Sequence, residues 1–471
     1  MNSPQPLNTD GEASRHAEKG STALSTLPSN RSSPPPASLS SLPTELLTRI
    51  LNHFPLHPAS KRSKFLARIC LVNKFLLSIA QPLLFRDIHL KLDQDYDEDY
   101  SQYRQLVRIL TSGHPISKKV RNLRVSFRGG GTNSIDMAVF AFVLSCVGPL
   151  ESIRTSWWHD RGFEHTTEFI EAILRHQEGL KRLDIPNVHF IGSTTLPSIF
   201  TDLPDLEAFV ATLPSPSDQI TSLNSACQLR RLVITTSFDL PLFQQITHNS
   251  YSSLTSLSVW LTTIHDPVDL SHFSNLSLLR IDMAQGGRYR TRAVSVTDPS
   301  TEDVFDFLSH TMRRTLESLR TLPIKTLSIS TTESNLKSAL MFYPFLDVLP
   351  PSIVHFAAVP PIFMLFREGP NQLIQRTRDR SYPHLKLVSI LPGLYHDQER
   401  SRYVAAQQGK AEEGLMEKCK ELGVKVEITA MESQDPLLRM GVDVDQEDSE
   451  TEMSDFELPS DSEDGDGSEE D

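Results

Sequence analysis

Clustered cysteine is the first thing this 471-residue sequence lacks. Cys70, Cys146, Cys227 and Cys419 lie far apart, with no CxxC pair, so the sequence suits neither a disulfide scaffold nor a Cys-ligated metal site. Dispersed, reduced thiols fit the cytoplasm or nucleus rather than secretion. Long apolar runs are missing as well. The longest mainly apolar stretch, Ile135–Val147, has 13 residues, short of the ~20 that a membrane-spanning helix needs. The opening residues hold Asp10, Glu12 and Glu18 and no apolar core, and so do not read as a secretory signal.

Catalytic patterns are equally scarce. The 16 histidines form no HExxH or HxH, which leaves a metal site without support. Gly129-Gly130-Gly131 stands in neither a GxxxxGK[ST] nor a GxGxxG frame and reads as a loop. There is no G-x-S-x-G elbow. In Trp157-Trp158-His159-Asp160 a histidine adjoins a carboxylate, but no nucleophile or metal-spaced partner follows; packing or a binding contact is the expectation. The sequence points to no enzyme activity, no cofactor and no metal.

Basic residues are absent from one place in particular. Val442–Asp471 holds 15 carboxylates and no Lys or Arg, so the net charge of −13 becomes +2 for residues 1–441. A body so near neutral lacks the basic excess of a nucleic-acid binder. Hydrophobic residues make up 38%, and even with glycine the fraction stays below the roughly 45–50% of an average globular chain. Part of the chain is therefore expected to be unpacked. Residues 1–40 read as a disordered Ser/Pro-rich arm, and 432–471 as a disordered acidic tail. Ser449, Ser454 and Ser460 each have an acidic residue at +3 and are candidate phosphorylation sites.

Between arm and tail two patterns appear. Leu42, Leu46, Leu47, Ile50 and Leu51 fall on one face of a helix. Ser41 is placed to cap it and Pro43 sits in its first turn. A second amphipathic run, Phe65–Leu90, follows, so residues 41–90 read as a small helical domain, greasier than its own core requires. Residues 100–430 then carry a repeat of the form L-x-x-L-x-L. Its first members are Val120/Leu123/Val125 and its last Leu385/Val388/Ile390. Periods of about 20–30 residues with such a strand motif mark leucine-rich repeats. One interval, from Leu276 to Ile324, spans 48 residues and hides either a missed repeat or an insertion. The fold class is α/β: a helical domain followed by an irregular repeat solenoid, each strand-plus-helix unit covered by its neighbour.

Residues 41–88 resemble an F-box. The pattern L-P-x-E-[LI]-L-x-x-I-[LF] is met by Leu42, Pro43, Glu45, Leu46, Leu47, Ile50 and Leu51, and the second helix by Leu71, Val72, Lys74 and Phe75. Pro82, Leu83, Leu84, Phe85, Arg86 and Ile88 match an ending common in fungal members. Asn73 stands where cysteine is usual, and the loop from His53 to Lys64 is longer than the family's. The resemblance implies docking on a Skp-family adaptor, and through it on a cullin–RING ubiquitin ligase, by Leu42, Pro43, Leu46, Leu47, Ile50, Leu51, Leu71 and Val72. The repeats then choose a protein substrate. A repeat scaffold that holds partners together without ubiquitylation would use the same parts. Between the motif's leucines, Arg124, Arg154, Arg182, Arg231 and Arg280, with Trp260, are the candidate substrate contacts, read as a basic stripe on successive strands. No membrane or nucleic-acid partner is expected.

Overall fold

The computed structural model describes residues 42–52, 59–93, 100–128, 134–157, 166–190, 195–213, 223, 225–235, 240–262, 268–284, 314–331, 349–358, 379, 381–390, 416–417 and 419–428. The Ser/Pro-rich arm, the acidic tail with Ser449, Ser454 and Ser460, the Gly129 loop and the residues after Trp157 in the Trp-Trp-His-Asp cluster lie outside them.

Three helices come first: α1 (Thr44–Asn52), α2 (Ala59–Cys70) and α3 (Lys74–Leu84). The Pro43 carbonyl accepts the Leu46 and Leu47 amides at 3.0 and 3.1 Å and so opens α1; Ser41 lies outside the described residues. The long second amphipathic run is not one helix. It breaks at Leu71–Val72, and Asn73 restarts it by accepting the Leu76 amide on its side chain at 2.8 Å, as an N-cap asparagine does.

Among the described residues twelve strands follow: β1 (Asp87–Asp93), β2 (Asn122–Arg128), β3 (Ser152–Trp157), β4 (Arg182–His189), β5 (Ala208–Thr212) and β6 (Arg231–Ile234). They continue with β7 (Ser256–Thr262), β8 (Leu278–Ala284), β9 (Thr326–Thr331), β10 (His355–Ala358), β11 (Leu387–Ile390) and β12 (Lys425–Ile428). They form one parallel sheet whose spatial order is the chain order. Every L-x-x-L-x-L core pair found in the sequence lies on one of β2–β11. The sheet begins earlier than the 100–430 boundary read from the sequence. Ile88 and Leu90, at the end of the second amphipathic run, already belong to β1.

Between strands run α4 (Tyr100–Thr111), α5 (Ser134–Cys146), α6 (Thr166–His176), α7 (Thr195–Asp202) and α8 (Leu240–Thr247). A parallel sheet whose strand order never reverses keeps its crossovers on one face. The packing agrees. Phe140 of α5 stacks on Phe169 of α6 at 4.7 Å, and Phe200 of α7 meets Phe209 of β5 edge-on at 5.0 Å. In α6, Phe169, Ile170, Ala172 and Ile173 are buried while Glu168, Glu171 and Arg175 are exposed. One continuous core runs beneath the helices from Ile88 to Val424.

A backbone ladder holds the strand entries together. The Arg86 carbonyl accepts the amides of Arg121 and Asn122, the Arg121 carbonyl those of Glu151 and Ser152, and the Glu151 carbonyl those of Lys181 and Arg182. The pattern repeats at Lys181, Glu207, Arg230, Thr255, Ser277, Lys325 and Val354. It crosses the 48-residue interval without a gap. The Ser277 carbonyl receives Lys325 and Thr326 directly, and β8 pairs with β9 in register. That interval is therefore an insertion between adjacent strands, not a missed strand.

Side chains satisfy the buried amides that the ladder leaves, as they must in a dry interior. Gln177, buried after α6, accepts the Leu150 amide at 2.8 Å and donates to the Leu144 carbonyl at 3.2 Å. Ser250 accepts the Leu229 amide, and Thr315 the Val268 amide.

Candidate interaction surfaces

The helical bundle has a small core of its own. Leu47, Leu51, Leu66, Ile79 and Ala80 are buried together, with Leu42, Phe65, Ile69, Cys70, Leu83 and Leu84 around them. This divides the residues that the F-box resemblance assigns to the adaptor. Leu46 and Ile50, one turn apart on α1, are 46% and 47% exposed, and Leu71 and Val72, in the turn before α3, are 86% and 63% exposed. Pro43 is exposed and Leu42 half-buried. Leu47 and Leu51 correct the expectation: they face Leu66 and Ile79 inside the bundle and offer nothing to a partner. Phe75, exposed in the first turn of α3, belongs with the outward set. Its place beside Leu71-Val72 in the motif was the signal for it.

Among the described residues two basic side chains tie the bundle to the sheet body. Arg86 donates to Glu151 at 3.3 Å. Arg62 of α2 donates to the Asn52 side chain at 3.3 Å and lies 4.0 Å from the Asp87 carboxylate on β1.

The sheet face away from the helices carries the candidate substrate contacts, in rows fixed by register. One row reads His89, Arg124, Arg154, Asp184 across β1–β4 and Val210, Val233, Ser258, Arg280, Ser328 across β5–β9. The row two residues earlier reads Ser152, Arg182, Ala208, Arg231, Ser256 across β3–β7. The five arginines therefore do not form one stripe on successive strands. Arg124, Arg154 and Arg280 share a row, Arg182 and Arg231 occupy another, and β5 and β7 contribute none.

Carboxylates further divide that face. Asp184 receives Arg182 at 2.6 Å and Arg154 at 3.4 Å on the same oxygen, while its other oxygen is buried without a hydrogen-bond partner. Asp282 receives Arg280 at 2.8 Å. Both pairs are Arg-x-Asp along one strand, where residues two apart share a face. Arg231 is buried, and Trp260 sits half-buried within β7 opposite Asp282. Val210 and Val233 pack on each other, apart from the main core.

The Cys70 and Cys227 thiols are pushed above the usual range by burial, and Cys419 up to about 11 for the same reason; protonated thiols are poor nucleophiles. A cleft of about 530 Å³ beside α8 is lined by Gln245 and Asn249 among others. Both are committed to the backbone, Gln245 to the Leu223 amide and Asn249 to the Ser225 carbonyl. Among the described residues no three His, Cys, Asp or Glu side chains gather as a metal site, and no helix is long and apolar enough to cross a membrane. No model of a known protein family matches the chain, and no curated protein does either.

Proposed function

We propose that the chain is the substrate receptor of a cullin–RING ubiquitin ligase. In this reading the bundle 42–86 is an F-box that docks on a Skp-family adaptor, and the sheet with its helices is a leucine-rich-repeat array holding a protein substrate on its open face. The observation that carries it is the placement of exposed apolar side chains. Among the described residues seven large ones are exposed, and five of them, Leu46, Ile50, Leu71, Val72 and Phe75, belong to the bundle. An apolar helix face of this kind is a ligand for a groove on another protein. The F-box resemblance, which includes the same residues, supplies the identity of that partner. The register of the strands and the one-sided helices support the repeat reading.

The test is co-precipitation of the chain with the adaptor and the cullin. Leu46→Ala, Ile50→Ala and Leu71→Ala should each cost about 1–3 kcal/mol of adaptor affinity, as interface anchors do, while the bundle stays folded. Leu47→Ala is no substitute, because it empties the bundle core. A triple variant that still recovers the adaptor at full strength would refute the docking surface. Adaptor without cullin in the wild-type precipitate would favour the scaffold without ubiquitylation.

A further inference from the structure

One helix of the array has an outward face without charge. From Met137 to Cys146, α5 carries no Asp, Glu, Lys or Arg, whereas its neighbour α6 exposes Glu168, Glu171 and Arg175. A surface helix ordinarily sets charged side chains opposite its buried face. In α5 that place is taken by Ala138, Phe142 and Ser145, all exposed, with Val139, Ala141 and Cys146 half-buried beside them. Steps of three and four residues put the exposed set on one strip along the helix. Phe142 is 55% exposed, the highest value for a large apolar side chain outside the bundle among the described residues. The Ser145 hydroxyl donates to the Phe142 carbonyl at 2.7 Å, so covering the strip strands no donor.

The flanks select what covers it. α5 packs between α4 and α6. On the α4 side, residues 104–120 expose Arg104, Arg108, Lys118 and Lys119 and contain no carboxylate. On the α6 side, residues 167–179 expose Glu168, Glu171 and Glu178 with one cation, Arg175. Opposite charge thus lies on the two sides of an uncharged strip. A two-fold axis laid along α5 brings α4 of one copy against α6 of the other and sets α5 parallel to itself, a self-complementary contact. An axis across α5 would instead oppose α4 to α4, cation to cation. We propose that α4, α5 and α6 form the contact between two copies of this chain, with Phe142 at its centre and Arg108 opposite Glu171 of the second copy. The levels match: Arg108 stands three residues before the end of α4 and Glu171 five before the end of α6, a difference of ~3 Å at 1.5 Å per residue. Area sets the strength. The 13 residues of α5 span ~20 Å, and three helices ~10 Å apart cover ~600 Å² per copy, the size of a weak, transient interface. The pairing stands apart from the ligase reading, because it uses no residue of the bundle.

The experiment is sedimentation velocity of the full chain from ~1 to ~100 μM, the range in which a weak contact fills. The chain should run as a monomer at the low end and show a growing dimer fraction at the high end. Phe142→Glu, at an exposed position, should weaken dimerisation at least ~10-fold and leave the thermal melt in place. Arg108→Glu and Glu171→Arg should each weaken it at least ~3-fold, and the double variant, which exchanges the two signs, should restore it. A second measurement reads the geometry. Ala138→Cys, treated with a short bis-maleimide, should give a cross-linked dimer joined from residue 138 to residue 138. In an antiparallel pair residue 138 would meet Cys146 of the other copy, and peptide mapping separates the two. A monomer at every concentration, a dimer that survives Phe142→Glu, a double variant no better than the single ones, or a dimer joined from 138 to 146 would each overturn the proposal. Leu46→Ala, Ile50→Ala and Leu71→Ala should leave dimerisation intact while they weaken adaptor binding, so this contact and the ligase reading fail separately.

Discussion

The bundle and the sheet solve the same problem, burying apolar surface, with opposite success. In the sheet every strand-and-helix unit is covered by the next, and one core runs beneath α4–α8. Among its described residues only Phe142 and Met416 remain as large exposed apolar side chains. The bundle gathers Leu47, Leu51, Leu66, Ile79 and Ala80 into its core, and leaves Leu46, Ile50, Leu71, Val72 and Phe75 in solvent. A unit of some 45 residues has too little interior to use them all. The difference separates self-sufficiency from incompleteness. A repeat array grows its own interior, whereas apolar surplus on a small bundle is complementary to a second molecule.

The sharpest way to break that comparison is to empty each core in turn. Leu47→Ala and Leu257→Ala should each cost about 2–5 kcal/mol, the range for buried leucines. In the bundle that loss should remove hydrogen-exchange protection from residues 44–84 and leave 122–281 unchanged. In the sheet it should loosen β6–β8, because each unit leans on its neighbours, and spare the bundle. Loss of protection in both regions from either substitution would show one cooperative unit and end the distinction.

A somewhat smaller effect is expected from the polar face of the sheet. Asp184 is the common acceptor of Arg154 and Arg182. Asp184→Asn should lower stability by about 2–3 kcal/mol, the scale for a hydrogen-bonded charge removed from a mostly buried pair. Adding Arg182→Gln should restore part of it, since one uncompensated cation goes as well. Denaturant midpoints of the single and double variants check this; a double variant less stable than the sum of its parts contradicts the pairing. Smaller again is the effect of charge on the bundle's exposed turn. Leu71→Asp should change stability by no more than ~0.5 kcal/mol, as exposed positions do, and should raise solubility. A fall comparable to that of Leu47→Ala would mean that Leu71 is packed rather than offered.

How much of this was legible in the sequence differs by region for a physical reason. The strands were readable because parallel strands buried beneath helices repeat the same apolar spacing: Leu123 and Val125 in β2 recur as Leu279 and Ile281 in β8. The first strand was hidden, since Ile88 and Leu90 also fit the end of the helical motif. Inside and outside of α1 could not be told apart from periodicity. Leu46 and Leu47 are neighbours in sequence and fall 100° apart, and only the positions of Leu66 and Ile79 decide which of them turns inward. The open face was misread because arginine was counted strand by strand, while register sorts Arg182 and Arg231 into a different row from Arg154. The two Arg-x-Asp pairs, at 182–184 and 280–282, were visible; that Arg154 also reaches Asp184 from the next strand was not.

The last prediction leaves the energies untouched and times the two regions against each other. Cys70 closes α2 at the edge of the bundle core, Cys227 is buried in the sheet body before β6, and Cys419 is buried just before β12. Burial raises all three thiols, Cys419 to about 11. Only about one in a thousand Cys419 side chains is then the reactive thiolate at pH 8. Labelling of buried thiols therefore reports opening of the surrounding structure rather than surface chemistry. Cys70 is only half-buried, so its labelling rate without denaturant is the baseline. With a thiol reagent in excess at pH 8 and rising denaturant, that rate should climb first, at a concentration that leaves Cys227 unlabelled. Peptide mapping by mass spectrometry separates the sites. The order follows from core size: a cluster of five buried residues forms the bundle core, while Cys227 sits in a core shared along the whole array. Simultaneous labelling of Cys70 and Cys227 at every denaturant concentration would mean that the bundle draws its stability from the sheet, through Arg62, Asp87 and the Arg86 carbonyl at their junction.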